Sequence, residues 1–236
     1  MFTLNPAARQ VEREGWWTGL LHCKHIARKG DRMAAPARAI PQLHSGDRMT
    51  RFEFHRRYKA HTEIKKAELI EGVVVLASPL NAERHGDPHA DVMYWLGSYR
   101  SKDRGVKVSD NATVILDADN EVQPDASLRR LQGGTTRSEQ GYLIGPPELV
   151  VEVAASSVSI DLHSKLEAYR RNGVGEYIVW RVDDAAIDWF RLEEGAYVRV
   201  EPDAGGVIES AQFPGLRLHV AAMLEGDVAA VAAAVR

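Results

Sequence analysis

The sequence predicts an α/β domain: a mixed β-sheet flanked by helices, with one hairpin added before the core and a hairpin and helix after it. Three observations lead there. Glu148–Ala154 is a nearly continuous apolar run, as expected of a strand covered on both faces. A helical stretch closed by Asn172-Gly173 follows, and then a second β-branched run, Glu176–Val182. Strand, helix, strand at these lengths is a βαβ crossover, so the two strands run parallel. Finally, Glu71-Gly72 and Glu193-Glu194-Gly195 each divide two apolar runs, the signature of tight hairpins.

The elements follow in order. Thr50-Arg51-Phe52-Glu53 fits a capping box, opening a short helix to about His61. Ala67–Leu76 is the first hairpin, with Gly72 supplying a positive φ. Pro88 suits the first turn of a helix to about Arg100, on which Val92, Met93, Leu96 and Tyr99 share a face. Ala112–Leu116 and Glu121–Leu128 read as strands, with Pro124 demoting the second to an edge or irregular segment. Residues 129–147 read as a polar loop, and Asp161 as the N-cap of a helix over 162–171. Residues 186–201 form the later hairpin, a short strand lies near 207–210, and an alanine-rich helix over about 221–234 ends the chain.

At 236 residues the chain suits one domain with an extension. Residues 1–48 hold scattered Pro and Gly without a sustained period, so the ordered domain is expected over 49–236. Cys23 is the only cysteine, which excludes an intramolecular disulfide framework. No apolar run approaches the roughly 18 residues of a membrane span, and the start lacks a secretory pattern. A cytoplasmic protein is expected. The net charge of −3 is uneven: residues 1–66 carry 14 Lys/Arg against 6 Asp/Glu, and the remainder is acidic. A basic front can contact a polyanion or simply stand as a solvated arm. His22-Cys23-Lys24-His25 is a weak zinc pattern, because no second ligand cluster accompanies it.

The chemistry is signalled by Glu152, a carboxylate inside Leu149-Val150-Val151-Glu152-Val153-Ala154. An unpaired buried charge costs several kcal/mol, so it calls for a cation, a metal or a proton. Asp125, beside Pro124, poses the same question one strand earlier. Two such carboxylates on adjacent strands are the minimum for holding Mg²⁺ or Mn²⁺. Lys165 lies thirteen residues beyond Glu152, on the helix that folds back over the strand's carboxyl end. Ala154 leaves space there for its ammonium. Pairing of Glu152 with a core cation, without chemistry, is the competing explanation.

The order helix, three strands, helix, strand, with Pro124-Asp125 and Glu152 in these places, resembles the PD-(D/E)xK nuclease superfamily. More closely, the chain resembles the Uma-type family of restriction endonucleases. The matching stretches are Ala67–Gly72, Gln123-Pro124-Asp125, Pro147–Val153, Asp161–Leu166, Tyr169 and Gly173–Tyr177. The resemblance covers about residues 49–220 and implies a restriction-endonuclease-like core. It implies that Lys165, rather than position 154, carries the superfamily's lysine. It also implies a site role for Glu68, and an accessory one for His85.

The expected function is metal-dependent phosphodiester hydrolysis, as a DNA endonuclease. Asp125 and Glu152 would ligate the metal, Glu68 would complete the site, and Lys165 would position water or phosphate. Arg129, Arg130 and Arg137 are candidates for the DNA backbone. A homodimer would supply two sites for two strands. The alternatives are a catalytically silent binding module of the same fold, and a phosphoesterase of small substrates.

Overall fold

A computed structural model of the protein describes residues 39–236. The His22–His25 motif and nearly all of the basic extension lie outside them. The packed unit reaches back to Ile40, ahead of Met49. Leu43 is buried with Phe54, Leu69 and Val74, and the Gly46 amide donates to the Val74 carbonyl at 2.8 Å. Helix α1 (Arg51–Ala60) begins at Thr50, whose hydroxyl accepts from the Glu53 amide at 3.5 Å. The capping box is half-formed: the Glu53 carboxylate turns to Arg56 and Arg57 instead of the cap amide.

Strands β1 (Ala67–Ile70) and β2 (Val73–Leu76) make the first hairpin. Both turn residues have positive φ, Glu71 at 52° and Gly72 at 73°, as a type I′ turn requires. A single wide turn at Ala82–Gly86 leads into α2 (Asp87–Lys102), with Pro88 in its first turn. Strands β3 (Val106–Asp110), β4 (Val114–Ile115), β5 (Glu121–Val122) and β6 (Ala126–Arg130) follow.

The expected strand over 121–128 is therefore broken at Gln123-Pro124-Asp125, and its halves join different sheets. Proline has no amide to continue the ladder, so the chain crosses over there. The expected loop over 129–147 is also corrected. It finishes β6 and contains β7 (Arg137–Glu139) and β8 (Tyr142–Ile144), strands of three residues that are too short to show a period.

Strand β9 (Leu149–Ala154) is buried throughout, as its apolar run predicts, and pairs in parallel with β10 (Glu176–Arg181). Between them lie a π-helical turn (Ile160–Lys165) and α3 (Leu166–Asn172), which ends at Gly173 with φ 82°. Asp161 is not an N-cap but sits inside that turn, buried. Strands β11 (Ala186–Glu193) and β12 (Ala196–Arg199) form the later hairpin. Strand β13 (Val207–Glu209) pairs with β14 (Arg217–His219). The terminal helix is split into α4 (Val220–Leu224) and α5 (Val228–Ala234), since Gly226 at φ 73° breaks it and Asp227 caps the second piece.

Two six-stranded mixed sheets result, β2-β1-β5-β4-β8-β7 and β12-β11-β10-β9-β6-β3. The period of two along β9 sorts its side chains. Leu149, Val151 and Val153 join the core under α2, where Trp95 meets Trp189 edge to face. Val150 and Ala154 join the core with Tyr169 and Tyr177. Glu152 shares that second face. Among the described residues no helix is long and apolar enough to cross a membrane.

If residues 40–48 are part of the domain's core, Leu43→Ala should lower stability by about 2–5 kcal/mol in urea denaturation. A loss under about 1 kcal/mol would place that segment outside the core.

Candidate active site

Each acid arrives from a different element. Glu68 comes from β1 in the first sheet and Glu152 from β9 in the second. Asp125 lies where the chain passes between them. These three line one cleft of about 260 Å³ with Lys165, Lys66, Asp161, Arg84 and His85. The carboxyl end of β9 and the helical turn after it form one wall, the usual ligand position of an α/β sheet.

Lys165 is the centre of the cluster. Its Nζ stands 2.9 Å from Glu152 Oε1, 3.0 Å from Glu68 Oε2 and 3.6 Å from Asp161 Oδ1. The π-helical turn puts Asp161 and Lys165 on one inward face, and such widened turns are frequent at functional sites. Tyr169, one helical turn further on, donates its hydroxyl to Glu152 Oε1 at 2.9 Å. Glu68 Oε1 accepts from the Gln123 amide at 2.7 Å, tying β1 to the crossover.

Asp125 is held separately. Its Oδ1 takes Lys66 Nζ at 2.9 Å. Its Oδ2 accepts from the Val153 amide at 2.9 Å and lies 3.2 Å from His85 Nε2. His89 Nε2 reaches the Asp125 carbonyl at 3.0 Å, so both histidines touch this residue.

The electrostatics follow from crowding. Four buried carboxyl groups face two lysines, an excess of acid in a largely buried place. Burial pushes the Glu152 carboxyl up to about 8, helped by Asp125, Asp161 and Glu68 and opposed by Lys165. Burial raises Asp161 as well, outweighing Lys165 and the Ser157 hydrogen bond. For Asp125, burial is overcome by His85 and Lys66, which hold its carboxyl well below the usual range. Burial alone would lower Lys165, but Glu152, Glu68 and Asp161 raise it well above an ordinary lysine.

Of the candidates from sequence, Glu68, Asp125, Glu152, Lys165 and His85 are brought together. Arg129, Arg130 and Arg137 do not line the cleft. Arg130 bonds the Gln212 carbonyl and lies over the Phe213 ring, and exposed Arg137 is 3.4 Å from Glu139. Sequence reasoning missed Lys66, Asp161 and Tyr169. The signals were available: Lys66 is two residues before Glu68, and Asp161 and Tyr169 flank Lys165 at intervals of four.

Among the described residues, no three His, Cys, Asp or Glu side chains form a ready-made metal cage. Asp125 and Glu152 nevertheless face one cleft. Both Glu152 contacts fall on Oε1, so Oε2 is the atom with spare coordination capacity. Excess carboxylate oxygen is the donor chemistry that suits a hard divalent cation, with water completing its shell.

Removing the central cation exposes the cost of this crowding. Lys165→Met should destabilise the protein by about 3–5 kcal/mol near pH 8, because buried acids lose their partner. Glu152 and Asp161 have raised carboxyl pKa values in the folded state, so the penalty should shrink toward pH 5 as they take up protons. Urea denaturation at the two pH values measures both; an equal loss at each would contradict the assignment.

Comparisons with known proteins bear on the fold and the family. A crystal structure of a putative nuclease belonging to DUF820, from Anabaena variabilis, superposes with a TM-score of 0.60 at 18% identity. The match covers 75% of this chain and 98% of that one, and shows a common, restriction-endonuclease-like fold. No functionally curated protein matches the sequence. The family model Uma2, described as a putative restriction endonuclease, matches residues 52–221, most of the chain. The protein belongs to the Uma2 family.

Proposed function

We propose that the protein is a divalent-metal-dependent endonuclease that hydrolyses phosphodiester bonds in DNA, with Mg²⁺ or Mn²⁺ as its ion. The observation that carries this reading is the convergence of Asp125, Glu152 and Lys165 on one cleft, with more buried acid than the lysines there balance. Asp125 and Glu152 would hold the ion. A bound divalent cation supplies Lewis acidity and neutralises charge on the phosphate.

The chain's own residues do the rest. Glu68, Glu152 and Asp161 hold Lys165 from three sides, so its ammonium reaches the phosphate or the attacking water already oriented. Tyr169 and the Val153 amide fix Glu152 and Asp125 respectively. His85 orients Asp125 from the cleft side. Arg84, paired with Asp183, lines the same opening and so lies nearer a phosphate in the cleft than Arg129, Arg130 or Arg137. Cutting both strands of a duplex calls for two such sites, as a homodimer provides.

The test is plasmid cleavage with and without Mg²⁺ or Mn²⁺. Asp125→Ala, Glu152→Ala and Lys165→Met should each slow it by at least about 10²-fold. Equal activity in wild type and variants would remove the nuclease reading. A pH dependence follows as well. With the Glu152 carboxyl at about 8, the metal-free protein holds a proton there at neutral pH, and the ion has to displace it. Mn²⁺ affinity should therefore rise with pH and level off above about 8, with proton release on binding measurable by calorimetry in two buffers. Affinity that is flat across this range would contradict Glu152 as a ligand.

A further inference from the structure

Two lysines enter the cleft, and they are held differently. Lys165 is wedged among three carboxylates with its side chain only 5% exposed. Lys66 lies immediately before β1, its side chain is 20% exposed, and its ammonium bonds Asp125 Oδ1 at 2.9 Å and Asn111 Oδ1 at 3.0 Å. The other Asp125 oxygen is committed to the Val153 amide and to His85. Oδ1 is therefore the oxygen through which Asp125 can take a cation, and Lys66 stands on it. An ammonium and a dication cannot share one carboxylate oxygen at contact distance without strong repulsion in a poorly hydrated site.

We propose that Lys66 is the resident cation of Asp125, and that it leaves this carboxylate for the substrate phosphate when a divalent ion binds; this rests on the metal-dependent reading above. Charge directs the exchange. Glu68, Asp125, Glu152 and Asp161 face only Lys66 and Lys165, so acid is in excess with or without a proton on Glu152, and a dication on Asp125 removes the pull of that carboxylate on Lys66. An incoming phosphodiester then presents a new anion at the opening where Lys66 is exposed. Lys165 is the fixed amine of the site and Lys66 the mobile one. While the ion is absent, Lys66 keeps Asp125 paired and so preserves the site.

The experiment compares wild type with Lys66→Met, Lys66→Gln and Asp125→Asn. Free Mn²⁺ is followed by electron paramagnetic resonance during titration, and plasmid cleavage is measured at saturating Mn²⁺. Loss of the competing ammonium should tighten Mn²⁺ binding about tenfold in Lys66→Met and Lys66→Gln. Cleavage by the same variants should fall about 10²-fold, because the phosphate loses a cation. These opposite movements separate the proposal from a structural role, which would weaken both. Mn²⁺ binding that is unchanged or weaker in whichever variant folds, or cleavage that stays at the wild-type rate, overturns the role of Lys66. Asp125→Asn binding Mn²⁺ as wild type does would instead overturn the metal-dependent reading itself.

Discussion

The ammonium of Lys165 sits where three elements have to meet, and much of the site's geometry follows from it. A buried ammonium is tolerated only with close acceptors, and the carboxyl groups of Glu68, Glu152 and Asp161 provide them from β1, β9 and the π-helical turn. Glu68 and Glu152 belong to different sheets, so one side chain ties the two sheets together. The arrangement is self-enforcing: each carboxylate is as costly without the lysine as the lysine is without them. Tyr169 adds a second donor to Glu152 Oε1, and the Gln123 amide occupies Glu68 Oε1. A half-satisfied cluster would be worse than an apolar one, and these donors leave Glu152 Oε2, which faces the cleft, as the oxygen with room for another partner.

What is left over in that cluster is acidity. Glu152 is held up near neutral pH while Asp125 is held down, although both lie in the same cleft. The difference comes from their partners, since Asp125 has Lys66, His85 and a backbone amide, while Glu152 shares one lysine with two other acids. A fold gains nothing in stability from such crowding. Local rules broken together in one place, here a proline crossover, a π-helical turn and surplus buried charge, mark a site shaped for something other than stability.

Legibility varied with how much of a feature was local. Strands β9 and β10 were plain because a long apolar run and a βαβ spacing are properties of neighbouring residues. The hairpin turns at Glu71-Gly72 and Glu194-Gly195 were plain for the same reason. Strands β7 and β8 were hidden, since segments of three residues are held by their partners rather than by a pattern of their own. The terminal helix looked continuous because its alanines favour helix on both sides of Gly226, and propensity does not show where a chain reverses. Asp161 looked like a cap because a carboxylate ahead of a helix ordinarily is one; a lysine four residues later drew it inward instead.

By itself, then, the sequence determined the central parallel strand pair, the two hairpins and the anomaly of Glu152, because each is written in residue types at fixed short spacings. It also placed Asp125 beside a proline and Lys165 on the following helix. Only the tertiary structure decided that residues 121–122 and 126–130 part into different sheets, that Glu68 and Asp161 meet the same lysine, and that Lys66 covers Asp125. The physical reason is range. Backbone periodicity and turn chemistry act over a few residues, whereas the pairing of a buried charge is settled by whichever side chains the completed fold brings within about 4 Å of it.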